Sequence, residues 1–470
     1  FRMATVRVFN HHLHSSFYWL ILVDAILFVL AFYVGAYLYF LPQHGGFENY
    51  LSQIPVRASL FAAVTVLSLA AMGLYEPRMR EGASGILLRT IGGFVAAGMA
   101  LAVIFYVLPE LHMWRGIYFY AAATAFTANL ISRSAVTSFT RREQFKNRVL
   151  VYGSGEAAST INKSMRRRAD RQGFTVVGFV RVGGEESVVD GERIINLRQS
   201  LADYTKQTEI DQIVVALDDK RDSLPMEELF KCRLEGVEVF DLVRFFEREA
   251  GKILVDHATP GSMSFTDGFT RSSASRLAKR WFDITASIIL LLAAWPFMLL
   301  TALAIWLEDG FGAPILFRQE RVGLNGETFD VLKFRSMTVD AEGDGKARWA
   351  TKDDCRVTKV GNFIRRTRID ELPQILNVLA GDMAFIGPRP ERPQFVKELA
   401  ENIPYYNARH CVKPGITGWA QLCYPYGASE NDARQKLQFD LYYVKNHSLF
   451  LDFMICLTTV EVVLFGKGAR

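Results

Sequence analysis

The chain has 470 residues, of which 50% are hydrophobic, and 54 Lys and Arg outweigh 49 Asp and Glu to give a net charge of +5. A mean hydropathy of +0.12 is too high for an ordinary soluble protein of this length, so membrane-embedded segments are expected alongside more than one domain. The five cysteines are scattered, with no CxxC pair and no histidine at ligand spacing, which argues against a disulfide framework and a structural zinc site.

Four apolar segments precede residue 140, at about 17–40, 57–75, 88–108 and 116–138, and each is near the ~20 residues that cross a bilayer. The first contains one acid, Asp24, which is notable inside a span. Basic residues concentrate before the first segment, between the second and third, and after the fourth: Arg2, Arg7, Arg78, Arg80, Arg89, Arg141, Arg142, Lys146 and Arg148. By the positive-inside rule, the N-terminus, the middle loop and everything after residue 140 are cytoplasmic. Residues 1–140 are therefore predicted to form a bundle of four transmembrane helices.

Residues 141–255 alternate between strand-like and helix-like stretches, which predicts a Rossmann-like α/β domain. A β-branched run leads into Gly153 and Gly155 with Ala158 in the third place, a G-x-G-x-x-A version of the dinucleotide fingerprint. Further strands are expected at 174–180, 210–217 and 236–242. No acid ends the second strand, which finishes in Val180-Arg181, so a structural or regulatory domain is favoured over a working nicotinamide site at Gly153 and Gly155.

Residues 256–278 are rich in Ser, Thr and Gly and are predicted to be a linker. A long apolar run follows, with Trp295-Pro296 in its middle, where a proline removes a helix hydrogen bond. Basic residues flank this run on both sides, which disfavours a crossing. A re-entrant helix at about 282–307, broken at Trp295 and Pro296, is therefore expected, with a kinked transmembrane span as the alternative.

The stretch RRTRIDELPQ, residues 365–374, places Arg365, Arg366 and Arg368 beside the adjacent acids Asp370 and Glu371. A proline follows, and then an apolar-periodic run that stops at a glycine, as expected for a helix start and a helix end. Carboxylates, guanidinium groups and a helix N-terminus together favour phosphate chemistry with a divalent metal on the acids. A charged helix cap on a solvated surface is the alternative.

Two further motifs carry candidate phosphate ligands. GPRPE, residues 387–391, holds Arg389 between two prolines, which makes a rigid support for a guanidinium group. In KFRSM, Lys333 and Arg335 alternate with an apolar residue, and either could contact phosphate or simply pair with an acid. The turn KPGITGW, residues 413–419, is interpreted as structural or membrane-contacting.

The order of FRQERVGLNGETFDVLKFRSM (317–337), TKDDCRVTKVGNFIRRTRIDELPQILNVLAGDMAFIGPRPE (351–391) and VKPGITGWAQ (412–421) resembles the bacterial sugar transferases. These are the monotopic polyprenyl-phosphate hexose-1-phosphate transferases. The resemblance covers roughly 275–470, and the four spans with a Rossmann-like domain resemble the front part of the family's long members. It implies an α/β monotopic catalytic domain over residues 279–470, on the cytoplasmic face of the bacterial inner membrane. Many relatives have Ser-Leu where this chain has Arg368-Ile369 before the acid pair.

The resemblance also implies the chemistry. Asp370 matches the aspartate nucleophile that forms an aspartyl phospho-sugar from a UDP-sugar, and undecaprenyl phosphate then accepts the phospho-sugar. Glu371 matches the acid that holds Mg²⁺ with Asp370 or orients the phosphate. Arg365 matches a phosphate-binding arginine, Arg389 lies where the resemblance implies contact with the uridine nucleotide, and Arg368 is a further candidate. The lipid bilayer is a partner, a homo-oligomer is an open possibility, and no nucleic acid is expected. A membrane-anchored nucleotide sensor or scaffold, and an NAD-dependent sugar-modifying enzyme, are the alternative functions.

Overall fold

The structure, a computed structural model, describes residues 5–8, 11–41, 54–75, 83–140, 146–165, 171, 173–182, 187–189, 193–218, 224–261, 268–269, 272–310, 313–338, 356–424, 427 and 429–465. The chain divides into two units, one holding nearly all residues up to Ala250 and the other running from Gly251. Arg2, Arg78, Arg80, Arg141 and Arg142, which contributed to the predicted orientation, lie outside the described residues.

All four helices predicted before residue 140 are present. After a short hairpin of β1 (Thr5–Val8) and β2 (His11–His14), they are α1 (Ser15–Phe40), α2 (Ile54–Ala71), α3 (Ala83–Val107) and α4 (Arg115–Thr140), with a 3₁₀ turn at Pro109–Leu111 before α4. Within the described residues, the helices long and apolar enough to cross a membrane are Trp19–Phe40, Ile54–Ala71, Gly85–Val107 and Ser273–Glu308. The α4 helix is less apolar than its three neighbours because it carries polar residues into the bundle.

Those polar residues surround Asp24, which is completely buried. Its carboxylate accepts hydrogen bonds from Asn129 at 3.0 Å and Ser132 at 3.1 Å on α4, and from the hydroxyl of Tyr75 at 2.8 Å. Arg133, which the sequence pattern did not single out, adds a buried ion pair at 3.5 Å. Buried charges are tolerated only when they are paired and hydrogen-bonded, so this cluster joins α1 to α4.

Arg89 differs from its expected place in a loop. It lies inside α3, is buried, and donates a hydrogen bond to the carbonyl of Met72 at 2.8 Å. The helix begins at Ala83, several residues before the apolar run, because polar residues can extend a helix beyond its hydrophobic stretch. Arg89 therefore closes the end of α2 as well as adding positive charge there.

A five-stranded parallel sheet follows, in the order β5-β4-β3-β6-β7. Its strands are β3 (Asn147–Tyr152), β4 (Phe174–Val180), β5 (Ile194–Ile195), β6 (Gln212–Val215) and β7 (Glu238–Asp241), with helices α5 (Glu156–Ser164), α6 (Leu201–Gln207), α7 (Met226–Leu234) and α8 (Leu242–Ala250) between and after them. The strand predicted at 174–180 is confirmed, while the two later strands are shorter than predicted. The strand order reverses at β3, as in a doubly wound sheet, which places the carboxyl ends of β3 and β6 side by side.

In the second unit, one helix of 37 residues, α9 (Ser273–Asp309), carries the apolar run. It starts inside the predicted linker, where Ser272 caps it by accepting a hydrogen bond from the amide of Ser275. The predicted break at Trp295 and Pro296 does not interrupt the helix, because Pro296 lies within continuous helical backbone. A proline inside a helix removes one hydrogen bond and favours a bend without ending the helix.

The rest of this unit is built around an antiparallel hairpin and a short parallel pair. The elements are β8 (Leu316–Val322), β9 (Thr328–Phe334), α10 (Lys359–Arg366), α11 (Gln374–Ala380), β10 (Ala384–Ile386), α12 (Pro393–Asn402), β11 (Gly415–Thr417), α13 (Trp419–Cys423), α14 (Glu430–Asn446) and α15 (Leu449–Phe465). The 3₁₀ turns lie at Leu324–Gly326, Ile369–Glu371 and Tyr406–Cys411. In the hairpin turn, Asn325 and Gly326 both have positive φ, which this tight connection requires.

The Asp24 cluster predicts a stability effect. Asp24→Leu leaves Arg133 buried without its counter-charge, and removal of one partner of a buried pair costs about 3–5 kcal/mol. We expect a clear fall in the midpoint of thermal unfolding of the detergent-solubilised protein, with most of the loss recovered in Asp24→Leu/Arg133→Leu. Arg115→Leu, at an exposed position at the start of α4, is the control and should leave the midpoint unchanged. An unchanged midpoint for Asp24→Leu alone would contradict the proposed role of the cluster.

Candidate active site

The acid pair lies in a 3₁₀ turn, Ile369–Glu371, between α10 and α11. Arg368 precedes it with a φ of 60°, a left-handed conformation that is unfavourable for a residue with a side chain. Ile369 packs into an apolar cluster with Ile305 of α9 and Phe334 of β9. As predicted, α11 follows the acids and ends at Gly381, whose φ of 102° suits glycine. The turn is thus fixed on both sides.

Glu371 is held by three cations. Arg389 donates to its Oε1 at 2.6 Å and to its Oε2 at 3.5 Å, Lys333 lies 3.5 Å from Oε1, and Arg368 lies 3.7 Å from it. Burial alone would raise the pKa of Glu371, but Arg389 and Lys333 together hold the pKa well below its usual range. Burial lowers the pKa of Lys333, and Glu371 opposes that effect. Glu371 is therefore ionised and pairs with Arg389, Lys333 and Arg368.

Asp370 is placed differently from its neighbour. Its Oδ1 atom is buried and has no hydrogen-bond partner among the described residues. Burial and the adjacent charge of Glu371 raise the pKa of Asp370 to about 6, although Lys333 and the two nearby arginines pull it down. A buried carboxylate oxygen without a hydrogen bond is poorly solvated, which distinguishes Asp370 from the cation-bound Glu371.

Lys333 and the acid pair are kept together by Asn377, which the sequence analysis missed. This buried side chain of α11 accepts a hydrogen bond from the amide of Leu332 at 3.0 Å and donates to the carbonyl of Asp330 at 2.8 Å. The side-chain amide of Asn377 therefore forms the two hydrogen bonds to the β9 backbone that a neighbouring strand would form. The far end of α11 is capped by Arg280 of α9, which donates to the carbonyls of Val378 at 2.6 Å and Leu379 at 2.7 Å.

Arg389 is supported through its backbone. Its carbonyl accepts a hydrogen bond at 2.9 Å from Arg409, which forms a buried ion pair with Asp440 of α14 at 2.8 Å. The two glycine-containing motifs meet here: Gly387 donates its amide to Thr417, and a side chain at Gly387 would collide with the 413–415 backbone. No local pattern identified Arg409 or Asp440, because the contact joins residues 31 positions apart.

The other predicted site residues lie elsewhere. Arg335 is buried at the end of β9, where its amide donates to the carbonyl of Ile315, and it is not among the cations on Glu371. The side chain of Arg365, half-buried in the last turn of α10, forms no hydrogen bond or ion pair in the described part of the chain. Gly153 and Gly155 lie in the other unit, in the turn after β3. Phosphate binding by Arg365 and Arg335 stays a prediction.

The predicted magnesium ligands, Asp370 and Glu371, offer a limited donor set. Among the described residues no cluster of three or more His, Cys, Asp or Glu could hold a metal ion. The unpartnered oxygen of Asp370 suits a cation, whereas both oxygens of Glu371 are already contacted by cations. The residues fit Mg²⁺ in its usual nucleotide-site form, in which one or two carboxylates bind and substrate phosphates and water supply the remaining ligands.

The apolar helix α9 is typical of a membrane protein. The turn that carries the acid pair, together with the cations around Glu371, forms a site suited to phosphate groups. Residues 274–466 match the family model described as bacterial sugar transferase, and residues 70–223 match one described as CoA-binding domain. A UDP-N-acetylgalactosamine-undecaprenyl-phosphate N-acetylgalactosaminephosphotransferase of Aeromonas hydrophila is 42% identical over 52% of this chain and 56% of its own length. The chain thus spans little more than half of that relative.

Several relatives are named UDP-glucose:undecaprenyl-phosphate glucose-1-phosphate transferase. The protein from Caulobacter vibrioides is 43% identical over 41% of this chain and 72% of its own length. The protein from Xanthomonas campestris pv. campestris is 29% identical over 90% of both chains, so the similarity extends through the front part as well. The chain belongs to the bacterial sugar transferase family, as the sequence motifs predicted.

The link between α11 and β9 can be tested by substitution. Asn377→Leu removes the side-chain partner of the Leu332 amide and of the Asp330 carbonyl, at a cost of about 1 kcal/mol for each of these partly buried hydrogen bonds. We expect a lower unfolding midpoint and a weakened hold of Lys333 on Glu371. Asn362→Leu, at an exposed position of α10, is the matched control and should unfold like the wild type. Equal midpoints for the two variants would show that Asn377 does not join these elements.

Proposed function

We propose that the protein is a phosphoglycosyl transferase that moves a sugar 1-phosphate from a UDP-sugar to undecaprenyl phosphate, the first membrane step of exopolysaccharide or O-antigen synthesis. The observation that carries this proposal is the contrast between adjacent acids, with Glu371 bound by cations and Asp370 poorly solvated beside it. The names of the relatives include glucose and N-acetylgalactosamine transfer, so UDP-hexoses and UDP-N-acetylhexosamines form the substrate class.

In the first step, a carboxylate oxygen of Asp370 attacks the β-phosphorus of the UDP-sugar. The bond from that phosphorus to the bridging oxygen breaks, and UMP leaves with the oxygen and its electron pair. Asp370 then carries the phospho-sugar as an acyl phosphate. Arg389, Lys333 and Arg368 are the cations able to offset the diphosphate charge, and their positions on Glu371 are set before substrate arrives.

In the second step, an oxygen of undecaprenyl phosphate attacks the same phosphorus. The bond between that phosphorus and Asp370 breaks, the carboxylate is released, and the product is a lipid-linked diphospho-sugar. Division of the transfer into two displacements lets one site serve a soluble donor and a lipid acceptor in turn. Mg²⁺, held by Asp370 together with the diphosphate, would supply further charge neutralisation during the reaction.

The contacts of α9 support a re-entrant membrane element. Near its start, Asp283 accepts a hydrogen bond from the amide of Phe385, and near its end, Glu308 accepts from the amides of Lys359 and Val360. Both positions therefore contact the same unit, although the 25 residues from Asp283 to Glu308 would span about 38 Å in a straight helix. Large apolar side chains in the middle are exposed, with Leu292 at 69% and Trp295 at 56%. Entry and exit on one membrane face explain these contacts, with Pro296 at the bend.

The basic residues on both sides of α9 support an orientation in which that face is the cytoplasmic face of a bacterial inner membrane. A UDP-sugar carries a charged diphosphate that cannot cross the bilayer, so a UDP-sugar made in the cytoplasm stays there. The phosphate of undecaprenyl phosphate lies at the membrane surface. The acid pair, close to α9 through Ile369 and Ile305, is then where the two substrates meet.

The raised pKa of Asp370 predicts a pH dependence. The reactive form is the ionised carboxylate, so UMP release should fall about tenfold per pH unit below a midpoint near 6. Glu371 raises the pKa of Asp370, so Glu371→Gln should move the midpoint to lower pH. Arg389 lowers it, so Arg389→Met should move the midpoint to higher pH. Steady-state UMP release across pH measures both shifts, and shifts in the same direction would contradict the assignment.

A panel of UDP-sugars tests the activity itself. Membranes containing the protein, undecaprenyl phosphate and a UDP-sugar labelled in the β-phosphate should transfer label to lipid with at least one sugar. Asp370→Asn should lower that transfer by about a thousandfold or more, because the nucleophile is lost. Arg366→Gln, an exposed neighbour in α10, is the control and should retain activity. Normal turnover by Asp370→Asn would exclude the mechanism.

A further inference from the structure

The glycine turn of the first unit has the local geometry of a nucleotide site. It connects β3 to α5 at the point where the strand order reverses, and Gly153 adopts a φ of 125°. In folds of this kind a ligand phosphate sits against the first amides of the helix, because those N–H groups lack partners within the helix. The match to a CoA-binding domain model gives the same expectation for this region.

In this protein those amides are already occupied. The carboxylate of Asp218 accepts a hydrogen bond from the amide of Glu156 at 2.9 Å and another from the amide of Ala157 at 2.7 Å. Asp218 follows β6, and β6 pairs with β3. The pairing of these strands therefore positions the Asp218 carboxylate beside the N-terminus of α5. Its two oxygens accept the two amide hydrogen bonds that oxygens of a ligand phosphate would accept.

The turn is also closed from other directions. Gly153, Ser154 and Gly155 are all buried. A side chain at Gly155 would collide with the Asp218 carboxylate. In the dinucleotide fingerprint, the glycine at this place leaves room for a pyrophosphate. Here the same space is taken by the carboxylate of Asp218. The amide of Val188 donates to the carbonyl of Ser154 at 2.9 Å, which places a segment after β4 against the turn.

We propose that Asp218 is a built-in substitute for the ligand phosphate, so that this domain takes neither a dinucleotide nor coenzyme A at its glycine turn. A ligand phosphate would have to displace an anion that already holds both amides, and the displaced carboxylate would repel it. The domain then acts as a fixed structural module. The inference is independent of the transferase chemistry, because it concerns the other unit.

Binding measurements on the full-length protein test this inference. Equilibrium dialysis of the detergent-solubilised protein with labelled NAD, coenzyme A and pyrophosphate should show no saturable binding to this unit. Addition of excess unlabelled UDP-sugar keeps the site near Asp370 from contributing. In Asp218→Ala the two amides become available, and saturable pyrophosphate binding should appear, at least about tenfold tighter than any binding by the wild type, as expected for charge-assisted hydrogen bonds.

Two further variants make the result decisive. Glu227→Ala removes one exposed acid from α7 with the same change in net charge and should bind no better than the wild type. Asp218→Asn keeps the shape of the side chain, which guards against misfolding of Asp218→Ala, and should also gain pyrophosphate affinity. Saturable binding of NAD or coenzyme A by the wild type would overturn the inference. Folded Asp218 variants that gain nothing over Glu227→Ala would overturn it as well.

Discussion

The ion pair between Arg389 and Glu371 is the interaction around which the second unit is arranged. Its 2.6 Å contact is reinforced by Lys333, and each partner is fixed from a separate element. Arg409 and Asp440 support Arg389, while Asn377 joins the helix after Glu371 to the strand that carries Lys333. A buried ion pair is a weak source of stability because desolvation offsets its attraction. The proposed binding of substrate phosphates accounts for this charged cluster better than a stabilising role does.

The same cluster sets the properties of Asp370. Because Glu371 is adjacent and permanently ionised, it raises the pKa of Asp370, while the surrounding cations limit that rise and keep the carboxylate ionised near neutral pH. The pKa values of two neighbouring acids are thus shifted in opposite directions by their environments. The membrane element shares this framework, since Arg280 near the start of α9 caps the helix that follows the acids. The apolar helix α9 and the helix that follows the acid pair are therefore joined directly by hydrogen bonds.

Local sequence signals predicted much of this structure, and long-range contacts explain what they missed. Hydrophobic periodicity predicted the helices and the strand Phe174–Val180, and the acids between arginines marked the site. Spacing could not separate Lys333 from Arg335, since β9 ends between them and sends the two side chains to different surroundings. Likewise, Asn377 reaches β9 across 45 residues and Asp218 reaches the glycine turn across 62, so no local motif reveals either contact.

Isolation of a covalent phospho-sugar adduct is the most direct test of Asp370 as the nucleophile. The protein is incubated with a UDP-sugar in the absence of lipid acceptor, quenched, digested and analysed by mass spectrometry. We expect release of one UMP per active site and a phospho-sugar attached to the peptide containing Asp370, at that residue and not at Glu371. Addition of undecaprenyl phosphate should then remove the adduct. An adduct on Glu371, or UMP release that requires the lipid and leaves no adduct, would exclude Asp370 as the nucleophile.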